Sequence, residues 1–284
     1  MSTSDILTPW YASGDVDYNA RSERSFSRLR QRKTPPPIPP KAFVPPPPVV
    51  ERRVITDRKV PDFGWSVNTF PKMEYAEVVA AVRMAMRGER DFVLSNEDAT
   101  NLLRPWFQQC RQQGLADVAL VFSYQLDAPG LWEPSEHEAV LCWYASGRIT
   151  KLTIQLADGQ FRLTEKPLPV AGLRKPVCKD NLQSFRNALL DTASVATSDW
   201  WRQFFMDAVR ILDSPRCSYE ESKSGFYLPE PYYKYLLAVR HARLGGGMGG
   251  WYDQPGSYTR DYRLATHQLE YEKCQALLYA VNNC

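Results

Sequence analysis

Few residues of this 284-residue chain stand at spacings that do bond chemistry. The three histidines, His137, His241 and His267, are far apart in unrelated contexts, and no pair has the short, regular spacing of metal ligands. No metal and no cofactor is therefore expected. Glu133, Glu136 and Glu138 form an acidic loop with no neighbouring base to pair with, so a solvated loop is expected rather than general acid–base work. The glycine-rich run that starts at Leu244, LGGGMGG, lacks the lysine and the preceding strand of a phosphate cradle and reads as a hinge. No serine or cysteine sits in a nucleophile-elbow context. Tyr252 and Tyr258 lie among Gly, Pro and Ser and are the tyrosines expected to be open to modification.

Residue patterns that serve recognition are clearer. Pro36, Pro39 and Lys41 fit a PxxPx+ pattern within a run of nine prolines from Pro35 to Pro48. Prolines at this density favour the polyproline II helix, which loses little entropy on docking into an aromatic groove, and the cation then fixes its direction. The implied partner is a proline-recognition domain, and the alternative is a stiff spacer. Just before it, Arg21 to Lys33 carries six basic residues against one acid, a charge block suited to anionic lipid or RNA, or to a solvated tail. Residues 1–60 are expected to be a disordered arm.

The remaining chain must fold around whatever it positions. Hydrophobic content of 44% and aromatic content of 12% call for a globular core, and a net charge of +3 is too small to imply nucleic-acid binding by itself. Six widely spaced cysteines (Cys110, Cys142, Cys178, Cys217, Cys274, Cys284), several within apolar runs, point to reduced, buried thiols and a cytoplasmic setting. The first residues have no basic start followed by an apolar stretch, so no secretory leader is expected.

The clearest stretch is Ala139 to Leu163, which holds three β-type runs, VLCWY, ITKLTIQL and QFRL. Leu152, Ile154 and Leu156 alternate with Lys151, Thr153 and Gln155, the signature of a strand with one buried and one wet face. Asp158-Gly159 is a hairpin turn signal. Before this meander, apolar spacing predicts a helix from Glu74 to Arg87 ended by Gly88. A second helix is capped by Ser95 and kinked or ended at Pro105. The run Val118 to Tyr124 reads as a central strand, because both of its faces are apolar. After the meander, helices are expected at Asn181–Leu190, Asp199–Leu212, from Pro231, and from about Arg263 to Val281, with Trp65 and Phe70 as early anchors.

The middle of the chain, about residues 90–191, resembles the Src-homology-2 family. Leu94-Ser95-Asn96, Ala99 and Leu102-Leu103 are similar to its first helix, and Ala119 to Ser123 to its central strand. Gly147 to Ile154, Asp158-Gly159-Gln160-Phe161 and the helix from Asn181 to Leu190 follow its later spacing. The family's phosphate-gripping arginine is Phe122 here, its helix arginine is Asn96, and its strand histidine is Lys151. The resemblance thus implies phosphate-independent binding of an extended peptide near Phe122, with Arg148 and Lys151 as the remaining cations.

The expectation is an α+β protein: a small antiparallel meander flanked by helices, with a disordered arm (1–60), an α+β domain (61–195) and a helical C-terminal region (196–284). The expected function is that of a non-catalytic, adaptor-like interaction protein. The alternatives are a viral matrix or capsid protein whose basic arm contacts lipid or RNA, and an enzyme without a local motif.

Overall fold

The computed structural model describes residues 73–284 apart from 127, 129, 134–135, 158–159, 170–172, 216–225 and 245–249. All of these belong to one compact unit, Val50–Cys284. The basic run, the proline-rich segment with Pro36, Pro39 and Lys41, Trp65, Phe70 and the Asp158-Gly159 turn lie outside the described residues.

The fold is α+β. Helix α1 (Met73–Met86) is buried without a break from Tyr75 to Val82. A helix buried on every side must sit inside, and α1 packs against the sheet and the last helix of the chain. Gly88, at φ +70°, ends it as expected, since a left-handed residue at that point costs glycine no Cβ clash.

Helix α2 (Glu97–Gln112) corrects two expectations. Its cap is Asn96, whose side chain accepts from the Ala99 amide at 2.9 Å, while Ser95 is held by Glu77 instead. The helix also continues past Pro105 and does not end there. The carbonyl that loses its partner belongs to Asn101, and both Asn101 and Pro105 are exposed, so the freed carbonyl lies on a side open to solvent. The opposite side of α2 keeps Leu103, Trp106, Phe107 and Cys110 in the core. Burial of each large apolar side chain there contributes on the order of 1.5–3 kcal/mol.

The sheet has four antiparallel strands in the order β1-β2-β3-β4: β1 (Leu115–Phe122), β2 (Glu138–Tyr144), β3 (Ile149–Ala157) and β4 (Gln160–Pro167). The meander is present as expected. The apolar strand β1 is not central, however, but lies at an edge. It is apolar because both of its faces are covered. Leu120, Val140 and Leu152 share the helix-side face, and Ala119, Val121, Ala139 and Leu141 share the other, against Ala128 and Leu131 of the β1–β2 loop. The alternation in β3 is only partly obeyed. Leu152 is buried and Ile154 half-buried, but Lys151, expected in water, is only 6% exposed beneath that loop.

Helices α3 (Leu182–Val195), α4 (Asp199–Asp213), α5 (Tyr232–His241) and α6 (Arg260–Asn283) complete the chain. Ser198 caps α4 and Thr259 caps α6. Trp251, fully buried, stacks on Tyr262 with ring centres 4.3 Å apart and meets Trp201 and Phe205 edge-on. Its indole N–H donates to Thr266 Oγ1 at 2.9 Å, so the apolar ring is buried without orphaning its polar atom. Helix α6 packs on α1, α3, α5 and β1, so the helical C-terminal part shares one core with the sheet. Cys110, Cys142, Cys274 and Cys284 are buried free thiols and Cys178 is a half-buried one; Cys217 lies outside the described residues. Among the described residues no helix is long and apolar enough to cross a membrane.

Candidate peptide-binding edge

The backbone of β4 can be read from two bonds on its neighbour. The Ile154 N–H points away from β4, to Tyr75 Oη at 3.4 Å, whereas the Ile149 carbonyl accepts from the Leu168 N–H on the β4 side. Bonding alternates along an antiparallel ladder, so odd-numbered residues of β3 face β4 and even-numbered ones do not. Ile154 pairs with Leu163, and Leu152 pairs with Glu165. The N–H and C=O groups of Leu163 and Glu165 therefore point to the outer edge. Pro167, opposite Thr150, has the same parity, so its hydrogen-free nitrogen faces a side where the sheet needs no donor. Among the described residues no hydrogen bond reaches the outward backbone groups of this edge.

On the helix side, β4 is anchored by Glu165. Its Oε1 accepts from Tyr144 Oη and Thr150 Oγ1, each at 2.6 Å, and its Oε2 accepts from Trp106 Nε1 at 3.2 Å. Cys110 Sγ stands 3.8 Å from Oε2 and 3.2 Å from Tyr144 Oη. Burial alone would raise the Glu165 carboxyl, but the bonds from Thr150, Tyr144 and Trp106, with the Arg148 charge, hold it below the usual carboxylate range. Burial pushes the Tyr144 phenol up, and its bonds to Cys110 and Glu165 add to the rise. Burial likewise pushes the Cys110 thiol up to about 11. The thiol is thus protonated at neutral pH and a poor nucleophile. The cluster fastens α2 to the meander, and each carboxylate oxygen is already engaged.

On the other face, Arg162, Thr164 and Lys166 form an exposed row along β4. Lys166 reaches Glu133 of the β1–β2 loop at 3.4 Å, with both side chains 63% exposed. One strand inward, Lys151 Nζ donates to the Glu136 carboxylate and, at 3.0 Å, to the Leu131 carbonyl. The acidic loop is therefore the counter-charge to the lysines of this sheet face.

The side chains singled out by the sequence do not meet at one place. Phe122 is 1% exposed on the helix side, stacked 5.7 Å from Tyr124. Lys151 is on the opposite face. Arg148 lies in the β2–β3 turn, its guanidinium 3.9 Å over the Tyr144 ring, and it donates to Gln113 Oε1. Of the two tyrosines, Tyr258 is 80% exposed and Tyr252 is half-buried. His241 stacks on Phe204, ring centres 4.8 Å apart, with Nε2 3.1 Å from the Phe204 carbonyl. Among the described residues no group of three or more His, Cys, Asp or Glu is placed to hold a metal.

Two features of the edge were missed. Glu165 was not singled out, although a glutamate at the parity of Leu163 was a usable signal. Pro167 at the end of a strand pattern was another, because proline in a sheet marks an edge. No family model, no curated protein and no solved structure matches this chain.

Proposed function

We propose that this is a non-catalytic, adaptor-like interaction protein that takes up an extended segment of a partner by strand addition at β4. The observation that carries the reading is the outward pair of N–H and C=O groups at Leu163 and Glu165, held in strand geometry by Glu165's four-sided anchorage. Main-chain bonds to a sheet edge supply affinity in this mode of recognition, and alternate side chains supply selectivity. An edge already fixed on both sides adds a strand at less entropic cost than a loop that must first be ordered.

The PxxPx+ segment at Pro36, Pro39 and Lys41 gives the same protein a second contact, as a ligand for a proline-recognition domain. An extended-segment receptor and a proline-rich ligand on one chain is the layout of a molecule that bridges two partners. The Arg21 to Lys33 block adds a third contact, with anionic lipid or RNA, to this reading.

The test is backbone amide exchange of the full chain with and without an uncharged alternating peptide, Val-Thr-Val-Thr-Val-Thr-Val. Strand addition predicts new protection at the Leu163 and Glu165 amides and little change at Thr164, which already faces β3. Protection spread over the helices, or none at β4 under saturating peptide, would sink the reading.

A further inference from the structure

We propose that the segment taken up at β4 is acidic, with carboxylates two positions either side of a small or β-branched residue; this rests on the strand-addition reading above. The face that an added strand would share with the β1–β2 loop carries Arg162, Thr164 and Lys166, all exposed. In an antiparallel sheet, side chains directly opposite each other are close neighbours, and opposite charges there stabilise while like charges destabilise. A strand whose middle residue stands opposite Thr164 places its residues two before and two after against Arg162 and Lys166. The protein itself already uses this chemistry on the same face, because Glu133 reaches Lys166 at 3.4 Å and Glu136 pairs with the buried Lys151. The Lys166–Glu133 contact is long and exposed, so a carboxylate arriving at Lys166 displaces little there.

The same row disfavours a second copy of the chain as the occupant. Two β4 strands in which Leu163 of each copy bonds Glu165 of the other pair antiparallel about Thr164. That register sets Arg162 of each copy directly against Lys166 of the other. Two like-charge pairs at the centre of a two-strand seam oppose association, and Pro167 removes a further donor at its end. An acidic strand converts both repulsions into attractions.

The experiment is a fluorescence-anisotropy titration of the full chain with three labelled peptides of one pattern: Val-Asp-Val-Thr-Val-Asp-Val, the same with Asn for Asp, and the same with Lys for Asp. The acidic peptide is expected to bind at least about tenfold more tightly than the lysine peptide, about 1.4 kcal/mol, with the asparagine peptide between them. The advantage should shrink as salt rises. In R162E/K166E the order should invert, and in R162Q/K166Q, with an unchanged thermal midpoint, the three affinities should converge. Equal binding of all three by the wild type would overturn the acidic preference while leaving strand addition standing. No binding of any peptide would overturn both. An unchanged order in R162E/K166E would overturn the assignment to this face.

Discussion

The two edges of this sheet are built in opposite ways. At the β1 edge, Asn282 of α6 turns its amide onto Leu120: Oδ1 accepts the Leu120 N–H at 2.9 Å, and Nδ2 donates to the Leu120 carbonyl at 2.8 Å. A single side chain thus imitates a passing strand, and Leu120 and Asn282 are both almost fully buried. At the β4 edge the outward groups of Leu163 and Glu165 meet no partner among the described residues, and the flanking side chains are cations and a proline. Lysine and proline on an open edge are the usual guards against unwanted pairing. In the function proposed above, the β4 edge is selective, closed to its own kind and open to a strand of complementary charge.

The largest expected effect comes from breaking the closed edge. Asn282→Ala removes both bonds and leaves the Leu120 N–H and C=O buried without partners. A buried unsatisfied backbone group costs about 1–3 kcal/mol, so N282A should lose about 3 kcal/mol in denaturant unfolding. A loss below about 0.5 kcal/mol would mean that water closes this edge and that the contrast with β4 is overstated.

Acid titration separates the two sides. Glu77 of α1, which packs under β1, is 5% exposed, and its carboxylate accepts from the Ser95 amide and, at 2.9 Å, from Ser95 Oγ. Burial outweighs those bonds and raises its carboxyl to about 6. A raised acid favours the fold in its protonated form, so its contribution is complete below the ordinary carboxyl range and is lost as pH rises through about 6. Glu165 of β4 is lowered, so its contribution is complete above the ordinary range and is lost as pH falls through its own value. Between pH 7 and pH 4.5 Glu77 should add up to about 2 kcal/mol, the size of a shift from 4.5 to about 6, and Glu77→Gln should abolish that rise. Glu165→Gln should cost about 1–3 kcal/mol at pH 7, because the new amide N–H₂ faces donors instead of accepting from them. The cost should shrink at low pH, where the wild-type carboxyl also protonates. Unfolding curves of the two variants across this range check both signs; parallel wild-type and E77Q profiles would refute the Glu77 assignment.

The smallest effect concerns the guard. Pro167→Val restores an N–H on the outer side of β4 without touching a β3 bond, so stability should stay within about 0.5 kcal/mol. Self-association should rise in sedimentation velocity, and most in combination with Lys166→Thr. If P167V stays monomeric at every concentration tested, proline is not what keeps this edge from pairing.

How much of this was legible in the sequence depends on where each residue's information lies. The helices and the meander were, because apolar spacing in α1, α4 and α6 and alternation around Leu152 are local. The edge position of β1 was not, because the residue that closes it, Asn282, is 162 positions from Leu120. An apolar strand with both faces covered reads as central, and only tertiary contact tells an amide cap from a neighbouring strand. Lys151 was assigned to water by the alternation along β3. Its partner Glu136 sits in a loop whose return over the sheet depends on the packing of Leu131 and Ala128. Pro105 was expected to kink or end α2; the helix continues past it, with the carbonyl freed at Asn101 on an exposed side. The family resemblance drew attention to Phe122, Arg148 and Lys151, three positions that the sheet separates. The β4 edge was legible only in part, through Pro167 and the alternation of Arg162, Thr164 and Lys166.

The central claim is that the outward backbone groups of Leu163 and Glu165 receive an added strand. It is tested most directly by leaving the protein untouched and altering the peptide backbone. Two N-methylated isomers of Val-Asp-Val-Thr-Val-Asp-Val are compared, one methylated on the amides that would face β4 and the other on the amides that would face solvent. Because only one parity of amides can bond to an edge, the account predicts that one isomer binds at least about tenfold more weakly than the parent, a loss of about 1.4 kcal/mol. The other should bind within about twofold of the parent. Equal affinities for the two isomers would contradict strand addition at β4, whatever the peptide's charge.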